Sequence, residues 1–307
     1  MTRLVDTFFK RRVLWVTGKG GTGKSTIAAA LGILAAESGL RTLLIDVEAR
    51  GDVARFLDAG PPRYEAKEAL PNLHYLALHP EEVLDEYLRV AMRMPRVRRI
   101  GPVRKVFDFV ATAAPGIKEV LIAGKIGFEE RARNGGPRWD LIVVDAAASG
   151  QVLSHLRGPR TIQEIVQVGM IRNQTAWVRD IIEDPKRTGL VIVSLAEEMP
   201  VSETEDLIAL LPEAVGTPAL GIFANRVIES KQDDASLAAL DRGSDIVGDL
   251  AVDAAHLWHD IGESQRPDLE RLRSIGPPVA TIPLVAAEHH DLAFTKRIAA
   301  IVGEAHS

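Results

Sequence analysis

The chain reads as an α/β protein, a mostly parallel sheet covered by helices on both faces. Three observations carry this reading. Seven short, mostly apolar runs, at 13–17, 42–46, 73–78, 141–145, 190–195, 219–224 and 279–282, have the character of strands buried on both faces. Longer helical patterns alternate with them, as parallel strands joined by crossover helices require. The first run leads at once into a glycine-rich loop and then an Ala-rich segment from Ile27 to Ala36, so strand, loop and helix follow one another.

The elements follow in order. Arg3, Lys10, Arg11 and Arg12 precede an apolar run that ends in the loop, so that run is a first strand rather than a signal peptide. Gly39 is placed to stop the helix after the loop. Two segments, at about 81–132 and 153–184, are helical with no strand pattern. They are read as insertions that build a helical subdomain on one domain spanning 1–307. A third helical stretch, 235–275, precedes the last strand. The amphipathic segment 292–302 is the last packing helix, because a helix lying on a membrane would carry a larger basic face.

Composition narrows the function classes. The 307 residues are 46% hydrophobic and 26% charged, enough for a large core. A net charge of −5 argues against a general nucleic-acid binder, which is usually basic. There is no cysteine, so disulfides and thiolate metal sites within the chain are excluded. The apolar runs fall far short of the roughly 20 residues of a spanning helix. A cytoplasmic protein without an integral span is expected.

The loop is Gly18-Lys19-Gly20-Gly21-Thr22-Gly23-Lys24-Ser25-Thr26. Its glycines let consecutive N–H groups turn inward around a phosphate, and the following helix adds its positive end. Lys24 is placed to reach the β- and γ-phosphates, and the Ser25 hydroxyl to bind Mg²⁺. Asp145 ends an apolar strand, the form of a second nucleotide motif that supports Mg²⁺ through a water. The small tail Ala146-Ala147-Ala148-Ser149-Gly150 reads as a flexible switch loop near the γ-phosphate. The strand at 42–46 leads into three carboxylates, Asp46, Glu48 and Asp52, any of which can orient an attacking water.

The chain resembles the deviant P-loop nucleotide hydrolases at Lys19, and more specifically the ArsA and guided-entry ATPase family, which includes ATPases that target tail-anchored membrane proteins. Besides the loop, the resemblance rests on Ala114-Pro115-Gly116-Ile117-Lys118-Glu119, on Val191 to Glu198 followed by Ser202-Glu203-Thr204-Glu205, on Gly221-Ile222-Phe223-Ala224-Asn225-Arg226 and on Thr281-Ile282-Pro283-Leu284. It covers most of the chain in the right order, and short actinobacterial ArsA-like proteins are the most similar. The resemblance implies ATP and Mg²⁺ as ligands. It implies that Asn225 contacts adenine, that Pro283 flanks the base, and that Lys19 crosses a dimer interface to the partner's nucleotide. It aligns Glu48 with the Asp that positions the hydrolytic water, with Ala49 where the family has Pro. In the second switch, Asp145 to Gln151, the family's first Thr, its Pro and its His are lost. These departures bear on hydrolysis and leave nucleotide binding intact.

The chain holds one ATPase unit, so a homodimer or a heterodimer with a paralogue is implied, together with a hydrophobic or membrane-protein client. The basic run Arg89, Arg93, Arg96, Arg98, Arg99, Arg104 and Lys105, with Met92 and Met94, falls in the first insertion and reads as either a solvated helix face or a client surface. His256, His259, His289 and His290 read as surface histidines. Two other readings stand beside the ATP-driven switch. One is a catalytically weak partner subunit of a heteromeric complex. The other is a positioning ATPase of the ParA/MinD kind, against which the lack of a basic C-terminal helix speaks.

Overall fold

The computed structural model describes residues 3–92, 117–131, 137–165, 170–228, 234–242 and 248–306. Among them, eight strands form one sheet in the order β3-β4-β2-β5-β1-β6-β7-β8. They are β1 (Val13–Thr17), β2 (Thr42–Asp46), β3 (Lys67–Leu70), β4 (Leu73–Ala77), β5 (Leu141–Asp145), β6 (Thr188–Leu195), β7 (Ala219–Val227) and β8 (Val279–Pro283). All pairings are parallel except β3 with β4. The α/β class read from the apolar runs is therefore the observed one, and every one of those runs is a strand.

β3 had no apolar run to announce it. Its Lys67 and Glu68 are exposed, and as an edge strand it needs neither face buried. Asn72 at φ +63° turns the chain from β3 into β4. The N-terminal segment also forms a short helix that was not read from the sequence, α1 (Leu4–Phe8). Its Phe8 is fully buried, edge-on to Phe223 at 5.9 Å between ring centres.

Alternate residues of the central strands feed two cores, one on each face of the sheet. Leu14, Val16 and Leu44 face a core closed by α1, α2 (Lys24–Glu37), α3 (Asp52–Phe56) and the C-terminal α11 (Leu292–Glu304). Phe294, Ile298, Ala299 and Val302 of α11 are buried there, so the last helix is a packing helix. Gly39, at φ +86°, follows the end of α2 as expected. Trp15, Leu43 and Ile45 face the other core. That core is closed by α4 (Pro80–Met92), α5 (Ile117–Glu130), α6 (Ser149–Ile165), α7 (Met170–Ile182), α8 (Glu198–Ala214) and α10 (Asp249–Ser274). The small α9 (Asp234–Arg242) packs on α10.

α4 and α5 are tied to the sheet by a buried charge cluster. The Lys125 ammonium lies 2.8 Å from Glu86 and 3.0 Å from Glu129, and the Trp139 indole N–H donates to Glu129 at 3.1 Å. A buried lysine persists only with such partners, so the cluster fixes where these helices sit. The basic run from Arg89 to Lys105 lies outside the described residues apart from the α4 backbone, as do Ala114 to Gly116. No helix among the described residues is long and apolar enough to cross a membrane.

Candidate active site

β1 is buried along its whole length and delivers the chain into the glycine loop at the C-terminal edge of the sheet, where ligands of open α/β sheets bind. Close approach of neighbouring atoms demands glycine at two positions of the loop. A Cβ at Gly18 would collide with the Val193 carbonyl oxygen on β6. Gly23, the residue before α2, has φ +96°, and a Cβ there would collide with the Asn225 amide. No side chain caps α2, so its first N–H groups stay open toward the loop.

The loop is braced from within and from below. The Thr22 hydroxyl donates to the Lys19 carbonyl at 2.9 Å, and the Lys24 ammonium donates to the same oxygen at 3.3 Å. The Asn225 amide donates to the Thr22 carbonyl at 2.8 Å. β7 brings Asn225 there through a break in its register with β8 and the left-handed turn at Arg226, φ +56°. Asn225, which the sequence resemblance places at an adenine, tethers the phosphate loop in this structure.

A cavity of about 560 Å³ lies above the loop. Gly20, Gly21, Gly23, Lys24, Ser25 and Thr26 form one end, with Glu48 and Asp145 beside them. Asn225 and Pro283 line it further along, with Arg226, His290 and Phe294. Gly18, Lys19 and Thr22 stand outside this lining and act as framework. Arg50, Arg226 and His290 were not singled out for this cavity from the sequence. His290 stacks on Phe294 with ring centres 4.5 Å apart, and Asp291 caps α11 by accepting the Phe294 N–H at 3.0 Å. His256 pairs with Asp241 at 2.7 Å. Among the described residues no group of three or more His, Asp or Glu could hold a metal by itself.

The carboxylates beside the loop are sorted by their surroundings. β2 and β5 pair so that Asp46 and Asp145 end their strands side by side. Asp145 is 7% exposed, and its Oδ1 is buried without a hydrogen-bond partner. Burial pushes its carboxyl up to about 7, with Asp46 and Glu48 adding to the rise and Ser25 and Lys24 opposing it. A buried, donor-free carboxylate oxygen beside a serine hydroxyl fits a hard, oxygen-bound divalent cation. Asp46 accepts backbone N–H groups, whereas Glu48 pairs with Arg50 at 2.9 Å and Asp52 with Arg55 at 3.1 Å.

The second switch is more firmly held than its small residues suggest. The Ala146 N–H donates to Val16 at 3.0 Å, Thr17 donates to the Ala147 carbonyl at 3.0 Å, and the Ser149 N–H donates to Gly18 at 3.1 Å. Small side chains let this backbone lie against β1 and the loop, where larger ones would hold it off. Glu203 on α8 was noted only as part of a motif. It pairs with the Lys19 ammonium and accepts the Ser149 hydroxyl at 2.9 Å, so one carboxylate joins the loop to the second switch. The Lys19 ammonium holds that carboxyl below its usual range.

Comparison with known proteins shows the family. The model of the anion-transporting ATPases (ArsA_ATPase) matches residues 11–177. The chain is 34% identical over 243 residues to ATPase BagA of Mycobacterium tuberculosis, spanning 76% of this chain and 70% of that protein. It is 24% identical over 298 residues to the arsenical pump-driving ATPase of Escherichia coli, spanning 89% of this chain and 50% of that protein. It is 25% identical over 272 residues to the arsenical pump-driving ATPase of Acidiphilium multivorum, spanning 80% of this chain and 45% of that protein. On the strength of the family match and the mycobacterial relative, the chain belongs to the anion-transporting ATPase (ArsA) family.

Proposed function

We propose that the chain is a cytoplasmic, Mg²⁺-dependent ATPase that works as a dimeric switch and couples its nucleotide state to a protein or membrane client. The observation that carries this reading is the convergence on one cavity of the phosphate loop, the Asp145 carboxylate, Glu48, Asn225 and Pro283. The names of the relatives, ATPase and arsenical pump-driving ATPase, support the activity.

Each residue has a part in it. The N–H groups of Gly20 to Ser25 and the Lys24 ammonium hold the phosphates. Ser25 and Asp145 would hold Mg²⁺, which when bound supplies positive charge against the phosphate oxygens. Glu48 orients a water for in-line attack on the γ-phosphorus, which releases ADP and phosphate. Asn225 and Pro283 sit where a base would lie. In the dimer, Lys19 leaves Glu203 and places its charge at the partner's nucleotide. The insertions at 81–132 and 153–184 form the client-facing subdomain.

Light scattering of the purified chain with ATP, ADP or no nucleotide tests the switch, with Lys24→Ala alongside. The proposal expects ATP alone to raise the molecular mass and Lys24→Ala to abolish the rise. A mass independent of nucleotide would contradict it. One observation favours a second reading, that of a weakly catalytic partner subunit. Within a single chain Lys19 is held by Glu203 and Glu48 by Arg50, so both charged groups of the reaction start out engaged. That reading expects association only when a second, paralogous chain is added.

A further inference from the structure

Three carboxylates, Asp46, Glu48 and Asp52, stand at the end of β2 and just beyond it, and they are held differently. Asp46 is 3% exposed at the end of a fully buried strand. Its Oδ1 accepts two backbone N–H groups, from Glu48 at 3.1 Å and from Ala49 at 2.8 Å. Its Oδ2 faces the Tyr75 hydroxyl of the neighbouring strand β4 at 3.4 Å. Two short bonds on Oδ1 and a longer contact on Oδ2 therefore make Asp46 the most firmly held of the three carboxylates. Asp52 sits in the first turn of α3, paired with Arg55.

The two amides that Asp46 holds belong to the turn that carries Glu48. Ala49 in that turn has φ +50°, a left-handed conformation that is costly for a residue with a Cβ. The N–H bonds to a buried charged acceptor offset such a cost, because hydrogen bonds to ionised groups are the strong ones. Here the acceptor stands at the end of a strand paired on both sides, in register with Asp145.

We propose that Asp46 is a positioning residue for hydrolysis, whose carboxylate fixes the left-handed turn at Ala49 and thereby aims Glu48 at the attacking water. This rests on the reading of Glu48 as the water-orienting group. Asn at position 46 keeps an acceptor oxygen in place for the two amides, whereas Ala removes it.

The test pairs two readouts on Asp46→Ala and Asp46→Asn. The first is hydrogen exchange of the amides of residues 46–52 in the nucleotide-free chain. Asp46→Ala should exchange there about tenfold faster, and Asp46→Asn should speed up by less than that, since Asn keeps an acceptor for the amides but not its charge. Equal exchange in Asp46→Ala and the parent would overturn the proposal. The second is steady-state hydrolysis, with the same changes repeated on Glu48→Gln. Asp46→Ala should lower kcat by about 10²-fold with KM for ATP unchanged, as misplacement of a reacting group does. Asp46→Asn should recover most of that loss, and Asp46→Ala should cost nothing further on Glu48→Gln. A full loss on the Glu48→Gln background, or a rise in KM instead, would overturn it. If the exchange result holds while Glu48→Gln itself leaves kcat unchanged, the reading of Glu48 fails, and the assignment of Asp46 to hydrolysis falls with it.

Discussion

The phosphate loop and the first switch, the turn after β2 that carries Glu48, leave strands of one sheet at the same edge, yet they are held to different degrees. The loop is over-determined. Gly18 lies against the Val193 carbonyl, Asn225 holds Thr22 from β7, and Glu203 holds Lys19 from α8. The turn that carries Glu48 is held by the Asp46 carboxylate and by the Val47 N–H on the Asp145 carbonyl at 3.2 Å, and Glu48 itself pairs with an exposed arginine, Arg50. The difference teaches which part grips and which part moves. A group that must hold phosphates in every state profits from rigidity, because preorganised donors need no rearrangement when charge develops. A group that must respond to the γ-phosphate profits from having few anchors.

The sharpest way to break this comparison is to remove the grip. Lys24→Ala should reduce ATP affinity by at least about 10²-fold, as measured by fluorescent-nucleotide titration, since a charge-assisted phosphate contact disappears. Next comes Glu48→Gln, which should lower kcat by about 10²-fold while nucleotide affinity stays within a few-fold. If both variants lost affinity alike, the division between grip and switch would be wrong. Asn225→Ala probes the bracing itself. Leaving the buried Thr22 carbonyl without its donor should cost about 1–3 kcal/mol in denaturant unfolding and should weaken ATP binding as well. Unaltered stability would show that the loop does not depend on β7.

The smallest effect concerns pH. The Asp145 carboxyl is raised to about 7 in the nucleotide-free fold, against an ordinary value near 4 in the unfolded chain. The folded state therefore holds a proton that the unfolded state has lost over that interval, and stability falls as pH rises through it. Asp145→Asn, which stays neutral, should gain a few degrees in melting temperature over the parent at pH 8 and nothing at pH 4, without nucleotide. An equal gain at both values would place the cause outside this carboxyl.

The strands and the glycine loop were legible in the sequence because their signals are local. A buried parallel strand is continuously apolar, and the loop's glycines are dictated by close approach at Gly18 and Gly23. β3 left no such trace, since an edge strand such as Lys67–Leu70 keeps its charges in solvent. The carboxylates after β2 could be named from the sequence but not ranked. Their roles depend on Tyr75, which reaches Asp46 only because β4 lies beside β2, and on which backbone N–H groups each oxygen meets. Glu203 is likewise separated from Lys19 by most of the chain, and only the meeting of α8 with the loop pairs them. Long-range pairing of this kind has no periodicity to read.

The most direct measurement is ATP hydrolysis by the purified chain with Mg²⁺, alongside Lys19→Ala and Glu48→Gln. The account predicts turnover that each substitution lowers by about 10²-fold or more while ATP still binds. Turnover unchanged by both substitutions, or binding with no turnover under any protein concentration, would contradict a self-sufficient ATPase.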